Sequence, residues 1–264
     1  MIICEARNFG YVHIAKCAGS TIRHQLREFD DLDGRFFQTV AIDGVGRVNG
    51  NHLPLTTLAR FFPDDLERLR QVTSYAIVRD PADRFVSGIA QRFRSQLGRE
   101  PSDAEREDIE EVVADVITTM EADPDTLDRG HVYFTRQASY IEMDGERIID
   151  RIVPFERIDV LFDQLEADHG FSLNRESIWN PTVTYRYPAV TSGIKQLKDV
   201  AKRVLPVSSY MRVRDIAVPL LTRKGAPKFA EVVLRTSGVD RFVSSFYRRD
   251  AELHASALSH VGAT

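Results

Sequence analysis

Tyr11-Val12-His13-Ile14-Ala15-Lys16-Cys17-Ala18-Gly19-Ser20-Thr21-Ile22-Arg23 is an apolar run that stops at a lysine, turns through small residues and restarts as a helix. It reads as strand, loop and helix. The strand is expected over Phe9 to Ala15 and the helix from Ser20 or Thr21 to Glu28. A strand ending in Lys before Ala-Gly-Ser-Thr lets several backbone N–H groups converge on one anion, and the dipole of the next helix favours negative charge there. A nucleotide phosphate is the first ligand this suggests. Small residues joining any strand to any helix would look similar, so the rest of the chain has to decide.

A second corner of the same kind follows. Thr73-Ser74-Tyr75-Ala76-Ile77-Val78-Arg79 is a buried strand that ends in a cation, and Asp80-Pro81 starts a helix with Asp as N-cap and Pro at the first helical position. In a parallel sheet the two strand ends share one edge, where ligands bind in open α/β folds. Ser87 lies just under two helical turns beyond Pro81, within reach of a group held at the strand end. Two corners suit a ligand with two separated phosphates. For Arg79 the plain alternative is a salt bridge to Asp80 or Asp83.

Strands separated by amphipathic helices recur along the chain. A short strand is expected near Phe37 to Ile42, helices over Asp64 to Gln71 and through Ile109, Val113, Val116 and Met120, a helix from Tyr133 to Ile141, a strand from Arg147 to Phe155 and a helix from Ile158 to His169. Gly44, Gly46 and Gly50 mark a flexible connection into Asn51-His52-Leu53-Pro54-Leu55, which sets His52 on a loop. Beyond Trp179, five prolines punctuate a segment with helices expected near Ser192 to Val204, Pro227 to Arg235 and Val239 to Leu253. The expected fold is α/β: a single domain over residues 1–264 with a central, mostly parallel sheet flanked by helices, a P-loop-like strand-loop-helix at the nucleotide site, and a basic, mostly helical region from about residue 180.

Composition narrows the function. The 264 residues are 43% hydrophobic and 28% charged, ordinary for a soluble globular protein. No apolar run approaches the roughly 18 residues of a membrane span, and no leader pattern opens the chain, so a cytoplasmic protein without a membrane span is expected. Two cysteines, Cys4 and Cys17, make neither a disulfide framework nor a metal knuckle. The net charge of -4 hides an asymmetry: Leu97 to Gly130 holds twelve acidic and three basic residues, Arg186 to Arg249 fourteen basic and four acidic. The basic stretch is either a solvated face or a positive wall for an anionic ligand or acceptor. It lacks the aromatic interleaving of a nucleic-acid surface, and no nucleic acid is expected as a partner.

The motifs carry a family resemblance. The segment YVHIAKCAGSTIR resembles the 5′-phosphosulfate loop of sulfotransferases that use 3′-phosphoadenosine 5′-phosphosulfate (PAPS), in particular the carbohydrate, 2-O-sulfotransferase-like branch of membrane-type enzymes. SYAIVRDPADRFVSGIAQRF is similar to that family's 3′-phosphate segment, with order and spacing both agreeing. NHLPL falls where that branch carries its catalytic histidine, and TRQASYI, VPFERIDVLFDQLE and FYRRDAEL are similar to later blocks. The resemblance implies that Lys16 contacts the sulfate and bridging oxygen, that Ala18, Gly19, Ser20 and Thr21 bind the 5′-phosphate, that Arg79 and Ser87 hold the 3′-phosphate, and that His52 is the base. Asn180 with Thr182 would close over the adenine or 3′-phosphate. It further implies PAPS as donor, 3′-phosphoadenosine 5′-phosphate (PAP) as product, no required metal, and an acceptor hydroxyl, expected on a saccharide or glycoconjugate; oligomeric state stays open.

The sequence departs from the family at Ala15, where proline is usual, at Cys17 in place of threonine, and at Asn51 in place of glycine. A P-loop kinase is the competing enzyme class, but Lys16 precedes Gly19 and is followed by Cys17, an order that fails Gly-x-x-x-x-Gly-Lys-Ser/Thr. A binding protein that keeps the pocket without catalysis is the other alternative, and His52 is what separates it from an enzyme.

Overall fold

The computed structural model describes residues 1–174, 184–185, 222–223 and 227–262. A four-stranded sheet of order β1-β2-β5-β8 lies at its centre, from β1 (Ile2–Cys4), β2 (Phe9–Val12), β5 (Thr73–Val78) and β8 (Arg151–Pro154). β1 runs antiparallel to β2, while β2, β5 and β8 are mutually parallel. The sheet is therefore mixed, mostly parallel and flanked by helices. All four residues of β2 and the last five of β5 are buried, as expected for strands covered on both faces.

β2 ends earlier than the apolar pattern predicts, at Val12 rather than Ala15. Its last partner is Ala76, so β5 runs two residues further, through Ile77 and Val78. His13 to Ala18 then form the connection to α1 (Gly19–Leu26). Ile14, Ala15 and Cys17 stay buried, and that burial gave the loop its strand-like pattern.

Between the two parallel strands lie β3 (Thr39–Ile42) and β4 (Gly46–Asn49), an antiparallel hairpin where a flexible glycine connection was expected. Gly44 and Gly46 supply its turn at φ of 75° and 103°. α2 (Leu55–Phe61) and α3 (Pro63–Arg70) follow, the first of them unforeseen because its seven residues hold little periodicity. α4 (Pro81–Ser95) starts as its sequence requires: the Asp80 side chain accepts from the Asp83 N–H at 2.9 Å and Pro81 takes the first turn. α5 (Arg106–Ala122) buries Ile109, Val113, Val116 and Met120.

The helix expected over Tyr133 to Ile141 is instead two single 3₁₀ turns, Val132–Phe134 and Ala138–Tyr140. The backbone breaks between them where side chains of other elements take main-chain groups, Arg84 the Thr135 carbonyl and Asp250 the Gln137 N–H. The strand expected over Arg147 to Phe155 is split between β7 (Glu146–Arg147), paired with β6 (Glu142–Met143), and β8. α6 (Ile158–His169) matches its expectation. The remaining helices are α7 (Pro227–Arg235), α8 (Val239–Phe246) and α9 (Arg248–Gly262). A two-residue pairing, β9 (Thr184–Tyr185) with β10 (Thr222–Arg223), precedes them. The expected helix at Ser192 to Val204, Asn180 with Thr182, and most of the basic region lie outside the described residues.

Among the described residues, buried apolar side chains fall into two clusters. One surrounds the sheet, with Phe9, Tyr11, Ile22, Phe36, Leu55, Ile77 and Leu161; the other lies among α4, α5, α7 and α8, with Phe85, Phe93, Val113, Phe229 and Phe242. Among the described residues, no helix is long and apolar enough to cross a membrane.

Candidate functional site

The loop after β2 is tightly coiled. Lys16 and Ala18 both adopt left-handed backbone, φ 67° and 56°, an uncommon state for residues with a Cβ, costing on the order of 1 kcal/mol each. Alternation of this kind turns successive N–H groups toward one side, the geometry of an anion-binding concavity. Ala18 is the N-cap of α1 and offers no side-chain cap, so the N–H groups of the first turn are not all satisfied within the helix. Of the four expected contacts, the Thr21 N–H is spent on the Ala18 carbonyl at 2.9 Å, leaving its hydroxyl. Ser20 and Thr21 are partly exposed.

Arg79 reaches this loop. Arg79 donates through Nη1 to the Lys16 carbonyl at 3.4 Å, and its guanidinium stacks over Phe155 at 4.7 Å. The expected alternative is present as well, since Nη2 lies 3.8 Å from Asp83 Oδ2. Arg79 Nε is buried without a partner among the described residues. Lys16 Nζ donates to Gln91 Oε1 at 3.1 Å. Burial, then the charges of Arg94 and Arg79, bring the Lys16 amine down to about 8.

Ser87 stands one helical turn from Asp83 and one from Gln91, on the same face of α4. That face carries Asp83 to Arg79 and Gln91 to Lys16, so the Ser87 hydroxyl is flanked by the partners of both cations.

His52 comes to the site from the hairpin. Its N–H donates to the Asn49 carbonyl at 3.1 Å, and Asn51 is fixed by Asn49 Oδ1 and by Arg23 Nη1 of α1. The ring is 7% exposed and packs edge-on against His13 at 4.6 Å and near Tyr133 at 5.7 Å. Its Nδ1 lies 3.4 Å from the His13 carbonyl; a carbonyl only accepts, so Nδ1 carries the proton and Nε2 is left as an acceptor. Burial lowers the imidazole to about 3, and the Arg23 and Lys16 charges push the same way. His13, in the connection that follows β2, is buried too and held well below the usual histidine range by that burial.

Beneath the loop is a polar hub. Arg84, on the buried face of α4, donates through Nε to the Ala15 carbonyl at 3.0 Å and through Nη2 to the Thr135 carbonyl at 2.7 Å. Asp250 of α9 faces it at 3.9 Å and accepts from the N–H groups of Gln137 (2.8 Å) and Ala138 (2.9 Å). Gln137 in turn clasps the main chain of Arg79, accepting its N–H at 2.9 Å and donating to its carbonyl at 2.8 Å.

The structure thus brings Lys16, Ala18, Gly19, Ser20, Thr21, Arg79 and Ser87 to one end of the parallel strands, with His52 beside them. Gln91, Arg94, Gln137, Arg84 and Asp250 were not singled out in the sequence. One signal was legible: Arg84 falls on the apolar stripe of its helix, where an unpaired charge would be costly. Among the described residues, no group of three or more His, Cys, Asp or Glu is arranged to hold a metal ion.

Comparison of the chain with known protein families, with curated proteins and with solved structures finds no match.

Proposed function

We propose that this protein is a sulfotransferase that moves a sulfuryl group from PAPS to an acceptor hydroxyl, with a saccharide or glycoconjugate as the acceptor class. The observation that carries the reading is the contact of Arg79 with the Lys16 loop: the guanidinium that follows β5 donates to the Lys16 carbonyl at 3.4 Å, in the loop that leaves the adjacent parallel strand β2 for α1. In this reading the loop from Lys16 to Thr21 acts as a P-loop-like cradle for the 5′-phosphosulfate, and Arg79 with Ser87 takes the 3′-phosphate.

The chemistry follows from the placement. The S–O bond to the acceptor forms as the S–O bond to the 5′-phosphate breaks, and charge grows on the bridging oxygen. A cation at that oxygen stabilises the transition state more than the ground state, which is the role of Lys16. His52 Nε2 takes the acceptor proton. Nucleotide binding brings negative charge next to Lys16 and Arg23, offsetting the cations that depress His52; burial, the larger cause, remains. The base therefore gains strength once the donor is in place.

Incubation with PAPS and a panel of acceptors, read by mass gain of sulfate, tests the reading. His52→Ala is expected to lose transfer by roughly 10²–10⁴-fold while keeping PAP binding. Full transfer by that variant would remove His52 from the mechanism. The burial of His52 favours a second reading, a nucleotide-binding protein without catalysis; PAP binding with no transfer to any acceptor would select it.

A further inference from the structure

We propose that Gln137 is a positioning residue that fixes the separation of the two anion corners, so that the site is tuned for a nucleotide phosphorylated at both 3′ and 5′ positions; this rests on the reading above. Past Val12, β2 no longer pairs with β5, yet Arg79 lies beyond the last paired residue. The Gln137 carboxamide fills the place of the missing strand. It makes both main-chain hydrogen bonds to Arg79, as a neighbouring peptide group would. The same Oε1 also accepts from Cys17 Sγ at 3.3 Å, and Cys17 is the residue after Lys16. One planar group therefore touches both corners.

Gln137 has little freedom to yield. It is fully buried, and its own N–H is held by Asp250. Cys17 is fully buried as well, so the link is shielded from water. A ligand that engages both corners gains from their fixed spacing, since the second contact becomes intramolecular; a ligand that engages one corner does not.

The experiment compares binding of adenosine 3′,5′-bisphosphate, adenosine 5′-monophosphate and adenosine 3′-monophosphate to the full chain. Gln137→Ala is expected to weaken the bisphosphate about tenfold or more, and each monophosphate by less than about threefold. Cys17→Ala, which cuts only the loop side of the link, is expected to act in the same direction, and Cys17→Ser, which restores a donor, to recover the wild-type ratio. It also serves where Gln137→Ala folds poorly. A general loss of structure lowers all three ligands by one factor, and that outcome overturns the proposal. So does an unchanged preference for the bisphosphate in both Gln137→Ala and Cys17→Ala. If the wild-type protein shows no preference for the bisphosphate over the monophosphates, the two-phosphate reading of the site fails, and this inference with it.

Discussion

The His13 ring occupies the space that a side chain at position 19 would need: a Cβ built on Gly19 falls 1.7 Å from His13 Cδ2 and 2.1 Å from Nε2. Glycine is required there by packing, whatever its N–H does for a ligand. Gly19→Ala is expected to destabilise the fold by at least roughly 1–3 kcal/mol, because ring and helix cannot both stay in place. Adding His13→Ala should restore most of that stability by vacating the space. Denaturant unfolding of the single and double variants checks this; equal losses in both would show that the ring is not the obstacle.

Lys16 is expected to give ligand binding a basic limit. Its amine titrates near 8 in the free protein, and a bound phosphate raises it by favouring the charged form. Binding then takes up a proton above pH 8, so affinity for adenosine 3′,5′-bisphosphate should be full below about pH 8 and fall as the pH rises through it. Calorimetry between pH 7 and 9.5 reads the change, and Lys16→Arg, which stays charged, should flatten it. Under the proposed reaction, Lys16→Ala is expected to slow transfer by roughly a hundredfold or more.

The two buried histidines should make the protein sensitive to acid. Both are held below the normal histidine range by burial, so below about pH 6.5 the unfolded chain binds protons that the folded one refuses. Stability is therefore lost as pH falls below that point, at a slope of up to about 1.4 kcal/mol per pH unit for each histidine. His13→Phe, with its ring kept and its titration removed, should lessen the slope measured by urea unfolding between pH 4 and 7. An unchanged slope would mean that His13 does not contribute.

Arg84 and Asp250 are 1% and 0% exposed, and each would be a buried unpaired charge without the other. Asp250→Ala also strands the N–H groups of Gln137 and Ala138. It is expected to cost about 3–5 kcal/mol, and the double variant Arg84→Met with Asp250→Ala clearly less than the two single losses added together. A double-mutant cycle in denaturant gives the coupling; strict additivity would show that the two groups do not act as a pair.

Sequence periodicity carried the frame of this protein well. The helices α4, α5 and α6 follow their apolar stripes, and Arg79 lies at the end of β5 where alternation and the Asp80-Pro81 cap put it, whereas Lys16 stands four residues past the end of β2. It failed where tertiary partners replace local ones. Ile14 and Ala15 look like strand because they are buried, yet their backbone leaves the sheet, with the Ala15 carbonyl turned to Arg84. The stretch from Thr135 to Gln137 looks helical, but Arg84 and Asp250 take its main-chain groups. Arg84 and Asp250 are far apart in the chain, and no local pattern announces their meeting.

That meeting also has a consequence in time. Lys16 and its loop leave the ribosome well before Asp250, the carboxylate in α9 that neutralises the arginine gripping the loop. Until α9 docks, Arg84 lacks the counter-charge of Asp250 and the Gln137 N–H lacks its carboxylate acceptor. The ligand corner is therefore expected to close late in folding, after much of the sheet has paired, and a chain cut short of α9 should leave the synthesis machinery without a working anion site.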